Sequence, residues 1–379
     1  MATDLWYGHA GTTVVLLTEL AAGLDPSKHA SYASRGWTTF ERCSAELAKS
    51  YQLKVAKWKL VIDVADERGG AERRLPTTPE QMAELLRTRN FTNGADKEAV
   101  QELYTGMASA VLGTLESLSF TGLPLTTGGV ERVSSVKGGD GAALPAQLAG
   151  ALLYCTALRE LHLDGTQLND EALASLASQL TSGALPRLEK LGLNGNRFGA
   201  RGIDALCTAF GSGVAPSLRV ISLENGCFGD EGTQVIGEAL VSGRLPPALQ
   251  SLVLTGNSIG DVGAMALAAA IRRSGTACRV VMFKNAIGLE GQAALLTALE
   301  AKHGLAMDHL LAVSLLNPPT WPVTLVKAMG EGARLYDESS LGAVARTDGS
   351  GRKKTGSGRR SKAFHSHEND SHENELNEI

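Results

Sequence analysis

From Leu158 onward the apolar residues of this chain recur with a fixed long period. LRELHLDGTQL begins at Leu158, LEKLGLNGNRF at Leu188, LRVISLENGCF at Leu218, LQSLVLTGNSI at Leu249 and a shortened CRVVMFKNAI at Cys278, so successive starts lie 30, 30, 31 and 29 residues apart. Within a unit, positions one, four, six and eleven are apolar, as at Leu188, Leu191, Leu193 and Phe198, with mostly polar positions between them. That alternation predicts a half-buried strand in each unit. A Gly- or Asp-containing corner follows, and then the period changes to that of a helix, as in NDEALASLASQL from Asn169 and GDEGTQVIGEALVSG from Gly229. Stacking the units aligns Leu173, Ile203, Thr233 and Ala264 in one column. Leu176, Leu206, Ile236, Leu267 and Leu295 fill the next, and Leu180, Phe210, Leu240, Ile271 and Leu299 a third. Columns three to four residues apart form the buried stripe of an amphipathic helix, and Asn169, Asp230 and Asp261 are placed to cap it or occupy its first turn.

One strand and one helix cannot bury their apolar faces alone, so the units are expected to stack into a curved solenoid with strands inside and helices outside. A weaker unit precedes the array as LESLSFTGLPL from Leu115, followed by a Gly/Ser-rich stretch and the helical AALPAQLAGALL. A half-unit, LLAVSLLN from Leu310, ends it. The solenoid is therefore expected over residues 115–317, with a C-terminal cap over 318–336. Upstream, TTVVLLTEL from Thr12, a helical stretch from Gly36 and WKLVIDV from Trp58 read as strand, helix, strand, a partial α/β segment over residues 1–65. Residues 66–114 read as a linker carrying a helix at 79–87, then an amphipathic capping helix at 96–111. Residues 337–379 lose apolar periodicity and read as a disordered charged tail.

These repeats resemble the ribonuclease-inhibitor type of leucine-rich repeat, whose pattern is LxxLxLxxNxLGxxGxxxLxxxL. The resemblance implies an α/β solenoid of parallel strands and outer helices that binds protein and uses no cofactor. The pattern's asparagine is present as Asn196 and Asn257, replaced by Thr166 and Gly226, and offered by Asn285 in the shortened unit. The N-terminal segment resembles part of a Toll/interleukin-receptor-like domain at Trp37-Thr38-Thr39-Phe40-Glu41, which implies Glu41 as a residue of NAD hydrolysis. The alternative reading of those residues has Trp37 and Phe40 packing onto 14–17 with Glu41 in solvent. A third reading, a Ran-type GTPase-activating protein, rests on that family's use of similar repeats followed by an acidic stretch.

Composition narrows the field. The chain has 379 residues and a net charge of −4, which offers no overall basic field for nucleic acid. No apolar run approaches the ~18 residues that a membrane span needs, and the first residues lack the basic start of a secretory signal. Five scattered cysteines without a CxxC pair argue against a zinc site or disulfide framework and point to a reducing cytoplasm. The recurring GxxG patterns lack the spacing of phosphate-binding loops and read as corners. His365, His367 and His372 read as part of a solvated tail, and Arg352, Lys353, Lys354, Arg359, Arg360 and Lys362 as a basic cluster serving solubility or targeting.

The remaining candidate is the concave sheet face. Its side chains lie between the buried leucines: Glu160 and His162, Lys190, Ser222, Val253, then Val280 and Met282, with Arg279 and Lys284 flanking. An exposed row that turns apolar toward its end fits a non-catalytic contact with a protein partner rather than an acid and a base.

Overall fold

The computed structural model describes residues 12–17, 32–47, 61–63, 75–125, 143–274 and 278–301. The predicted C-terminal half-unit, cap, charged tail, basic cluster and tail histidines all lie outside them.

In the N-terminal segment, β1 (Val14–Leu16) and β2 (Val61–Asp63) pair in parallel, with helix α1 (Gly36–Glu46) between them in sequence. Helix α2 (Pro79–Arg87) starts on a capping box. The Thr78 hydroxyl accepts from the Gln81 amide at 3.3 Å, the Gln81 side chain accepts from the Thr78 amide at 2.8 Å, and Pro79 fills the first turn. Helix α3 (Asp96–Thr114) opens on Asp96 and Glu98 and buries Val100, Tyr104, Met107, Ala108 and Leu112 along one stripe.

Six short strands follow: β3 (Ser117–Ser119), β4 (Glu160–His162), β5 (Lys190–Gly192), β6 (Val220–Ser222), β7 (Ser251–Val253) and β8 (Arg279–Val281). They form one parallel sheet in sequence order. Between and after them come α4 (Ala143–Leu152), α5 (Asp170–Gln179), α6 (Ala200–Gly211), α7 (Gly229–Ser242), α8 (Asp261–Arg273) and α9 (Leu289–Glu300). The middle residue of each strand from β3 to β8, namely Leu118, Leu161, Leu191, Ile221, Leu252 and Val280, is buried in one continuous core with the helix columns. Burying each such side chain stabilises by about 1.5–3 kcal/mol relative to leaving it exposed, and the strictly parallel order lets every helix pack on its predecessor. Asn169 caps α5 as its position predicts, accepting from the Ala172 amide at 2.9 Å.

Two expectations need correction. In the last strand Leu252 pairs with Val280 and Val253 with Val281, so Val280 and Met282 point into the core, at 1% and 2% exposure, and are not on the open face. The shortened unit lost its residue ahead of the strand. Aligning it from Cys278 therefore shifts every later side chain by one position, and a one-residue shift exchanges the two faces of a strand. Secondly, Phe40 does not pack on β1. It joins the main core, edge-on to Tyr104 with ring centroids 6.2 Å apart, and Trp37 lies beside it, 43% exposed, with its indole N–H donating to Asp96 at 3.1 Å. The residue of α1 that packs with Val14 and Leu16 is Ala45.

Candidate functional site

The sheet face away from the helices is built by the first and third residue of each strand and, continuing the alternation, by the residue two beyond. On β4 these are Glu160, His162 and Asp164; on β5, Lys190, Gly192 and Asn194; on β6, Val220, Ser222 and Glu224. On β7 they are Ser251, Val253 and Thr255, and on β8, Arg279, Val281 and Phe283. Neighbouring strands put equivalent positions about 4.8 Å apart, so these side chains form a continuous grid.

The grid is cross-linked. Asp164 accepts the Asn194 amide at 2.8 Å and lies over Gly192, where a Cβ would come within 2.9 Å of both its oxygens. The Asn194 side-chain oxygen in turn accepts from the Ser222 hydroxyl and the Glu224 amide, both at 2.7 Å. His162 sits between two carboxylates, with Nε2 3.1 Å from Glu160 and Nδ1 3.7 Å from Asp164. Asp164 and, after it, Glu160 raise its pKa above 6.5 against the opposing effects of burial and Lys190. The ring thus bridges the two carboxylates, hydrogen-bonded to Glu160 and within ion-pair distance of Asp164.

The frame behind the grid is held by side chains that reach from one unit to the next. The buried Asn196 donates to the carbonyls of Leu163 and Leu193 at 2.8 Å and accepts the Leu168 amide at 3.0 Å. Asn257 accepts from the Gly226 and Cys227 amides and donates to the Leu223 carbonyl, while Asn285 accepts from the Asn257 and Ile259 amides. Asn285 thus takes up the predicted role in the shortened unit. Thr166 lies within 3.0 Å of Asn196 and shares its site, and Gly226 leaves its amide to Asn257.

A second series runs along the helix starts. Asp170 accepts the amides of Gly199 and Gly202, Asp230 that of Gly260, and Asp261 those of Gly288 and Gly291, at 2.7–2.9 Å. Each aspartate therefore serves the helix of the following unit. The GxxG patterns do more than turn the chain, since they leave room for that carboxylate.

Of the residues singled out in the sequence, Glu160, His162, Lys190, Ser222 and Val253 share the open face, all half-buried, and Arg279 is exposed on the same face. Lys284 is exposed at the corner after β8 with φ of +54°. By strand alternation the apolar positions at this end of the row are Val253, Val281 and Phe283 in place of Val253, Val280 and Met282, with Val253 and Phe283 half-buried and Val281 itself buried at 4% exposure. Asp164, Asn194 and Glu224 were missed, although continuing the period-two pattern past each strand reaches them. Glu41 lies half-buried on α1. All five cysteines are thiols outside any disulfide, with Cys227 alone exposed. Among the described residues no group of three His, Cys, Asp or Glu is placed to hold a metal, and no helix is long and apolar enough to cross a membrane.

A family model described as Leucine Rich repeat matches residues 154–177 and 247–268. These stretches run from ahead of β4 into α5 and from ahead of β7 into α8. No curated protein matches the chain in sequence comparison. Matches at two units of a ladder of alternating parallel strands and helices support a leucine-rich-repeat protein.

Proposed function

We propose that the chain is a non-catalytic interaction module of the ribonuclease-inhibitor type, a solenoid whose concave face is the open sheet and whose ligand is a protein. The observation that carries this reading is the grid itself. Charged, polar and apolar side chains stand on adjacent strands of one frame, held in place by bonds from unit to unit. Complementarity to a protein surface needs varied chemistry spread over a preorganised area, and ordering such a surface in advance lowers the cost of binding. His162 fits a contact role as a half-buried ring held between Glu160 and Asp164 on the open face.

In this reading the solenoid begins at 115, and the segment 66–114 ahead of it carries its N-terminal capping helix, α3. The five thiols, four of them buried, fit a cytoplasmic setting. The NAD-hydrolysing reading through Glu41 and the Ran-type reading gain no support from the matched repeats. The partner is to be isolated with the full chain and its affinity compared for Lys190→Glu and Val253→Glu against Glu238→Lys on α7. Loss only with the first two supports the proposal, and loss only with the third overturns it.

A further inference from the structure

We infer a second contact site, at the edge of the sheet where the strands begin, that takes an acidic segment of a protein partner. Arg159, Glu189 and Arg219 stand immediately ahead of β4, β5 and β6. Their backbones are fastened in a row, the Glu189 amide donating to the Arg159 carbonyl at 2.8 Å and the Arg219 amide to the Glu189 carbonyl at 2.9 Å. Arg187 projects from the corner before β5, and with Pro216, Ser217 and Ala248 these residues line a cleft of about 350 Å³. The Ser217 hydroxyl donates to the Pro186 carbonyl at 2.7 Å and ties the two corners that form the cleft wall.

The charge of this cleft is out of keeping with the chain. The whole sequence carries −4, yet the cleft is lined by three arginines and a single carboxylate, Glu189, with the exposed Glu116 next in the row beyond Arg159. Glu189 is engaged by Arg159 at 2.5 Å. Arg187 and Arg219 are exposed and have no side-chain partner among the described residues. Nor does repeat structure require an arginine at position 187, since the equivalent positions one and two units on are Ser217 and Ala248.

The donors present select the occupant. Phosphate sites commonly draw on backbone amides, but the amides of Arg159, Glu189 and Arg219 are already given to carbonyls of the preceding unit. What remains are guanidinium forks, which suit carboxylates in bidentate pairing. In an extended peptide, alternate side chains point the same way about 7 Å apart. Two carboxylates so placed lie within reach of arginines rooted on adjacent units.

The site shares with the proposed function only a protein partner, and it can be tested without one. The probe is a fluorescein-labelled peptide, Gly-Ser-Glu-Ser-Glu-Ser-Gly, against its glutamine counterpart, titrated with the full chain by fluorescence anisotropy. The glutamate peptide is expected to bind and the glutamine peptide not, with binding weakened by salt. Arg187→Glu with Arg219→Glu should reduce affinity at least about tenfold while the circular dichroism spectrum and urea midpoint stay unchanged, and Glu189→Gln should strengthen it. Equal binding of both peptides, no binding, indifference to the double charge reversal, or displacement by inorganic tripolyphosphate more readily than by unlabelled glutamate peptide would each overturn the inference. Val253→Glu on the open face leaves this peptide's binding in place, so failure here and failure of the open-face reading are separate results.

Discussion

The carboxylate of Asp261 bridges two units, and removing it should weaken their junction by a predictable amount. It accepts the Gly288 amide at 2.7 Å and the Gly291 amide at 2.9 Å, both at the start of α9. Hydrogen bonds to a charged group contribute about 1.5–3 kcal/mol each, and loss of a helix N-terminal cap costs about 0.5–2 kcal/mol. Asp261 and Gly288 are half-buried, so water replaces part of what is lost, and Asp261→Ala is expected to cost about 2 kcal/mol. Gly288 supplies the second arm of a double-mutant cycle. A Cβ there would lie 2.6 Å from one Asp261 oxygen, and its three nearest atoms all belong to that carboxylate. Gly288→Ala must therefore displace the cap and should cost as much as removing it, about 2–3 kcal/mol. Once Asp261 is alanine nothing remains to clash with, and the same change should cost only the ~0.5–1 kcal/mol of alanine at a helix start. Urea unfolding of the four proteins followed by circular dichroism measures the coupling. Additive costs would refute the bridging role.

Leu223→Ala, at 3% exposure in the central unit, should cost ~2–5 kcal/mol as a buried leucine truncation, read from the urea midpoint. Met282→Glu should destabilise the fold, because it places a carboxylate in the core, whereas Arg279→Glu on the exposed side of the same unit should leave the midpoint within about 0.5 kcal/mol of wild type. His162 gains its raised pKa on folding, so the stability it contributes is fully present below pH 6.5 and lost as pH rises through its folded value. His162→Gln should remove that component, and an NMR titration should place the imidazole above 6.5. Toward a thiol reagent, Cys227 should react first, since it is exposed while burial pushes Cys155 and Cys207 up to about 12.

Local pattern carried much of this fold. The strand and helix columns were legible because each unit repeats its apolar spacing, and the helix read at 79–87 has the bounds of α2. Bonds between units were less legible. Asp230 and Asp261 look like caps for their own helices, yet their carboxylates reach amides 30 and 27 residues ahead, a distance no local rule spans. The register of β8 was lost for a related reason. Cys278 looks like the first apolar position, and only counting back from Asn285 and Ile287, which align with Asn257 and Ile259, puts the deletion ahead of the strand. Phe40 was assigned to the strand that precedes its helix, but it packs edge-on to Tyr104, 64 residues on, in the main core.

The most direct test of the account is a crosslinking map. A photoreactive amino acid is placed in turn at 190, 222 and 253 on the open face and at 201, 234 and 238 on the helices, in the full chain with its isolated partner. Crosslinks from the sheet positions alone are predicted. Crosslinks from the helix positions alone would contradict the claim that the open face of the sheet is the binding surface.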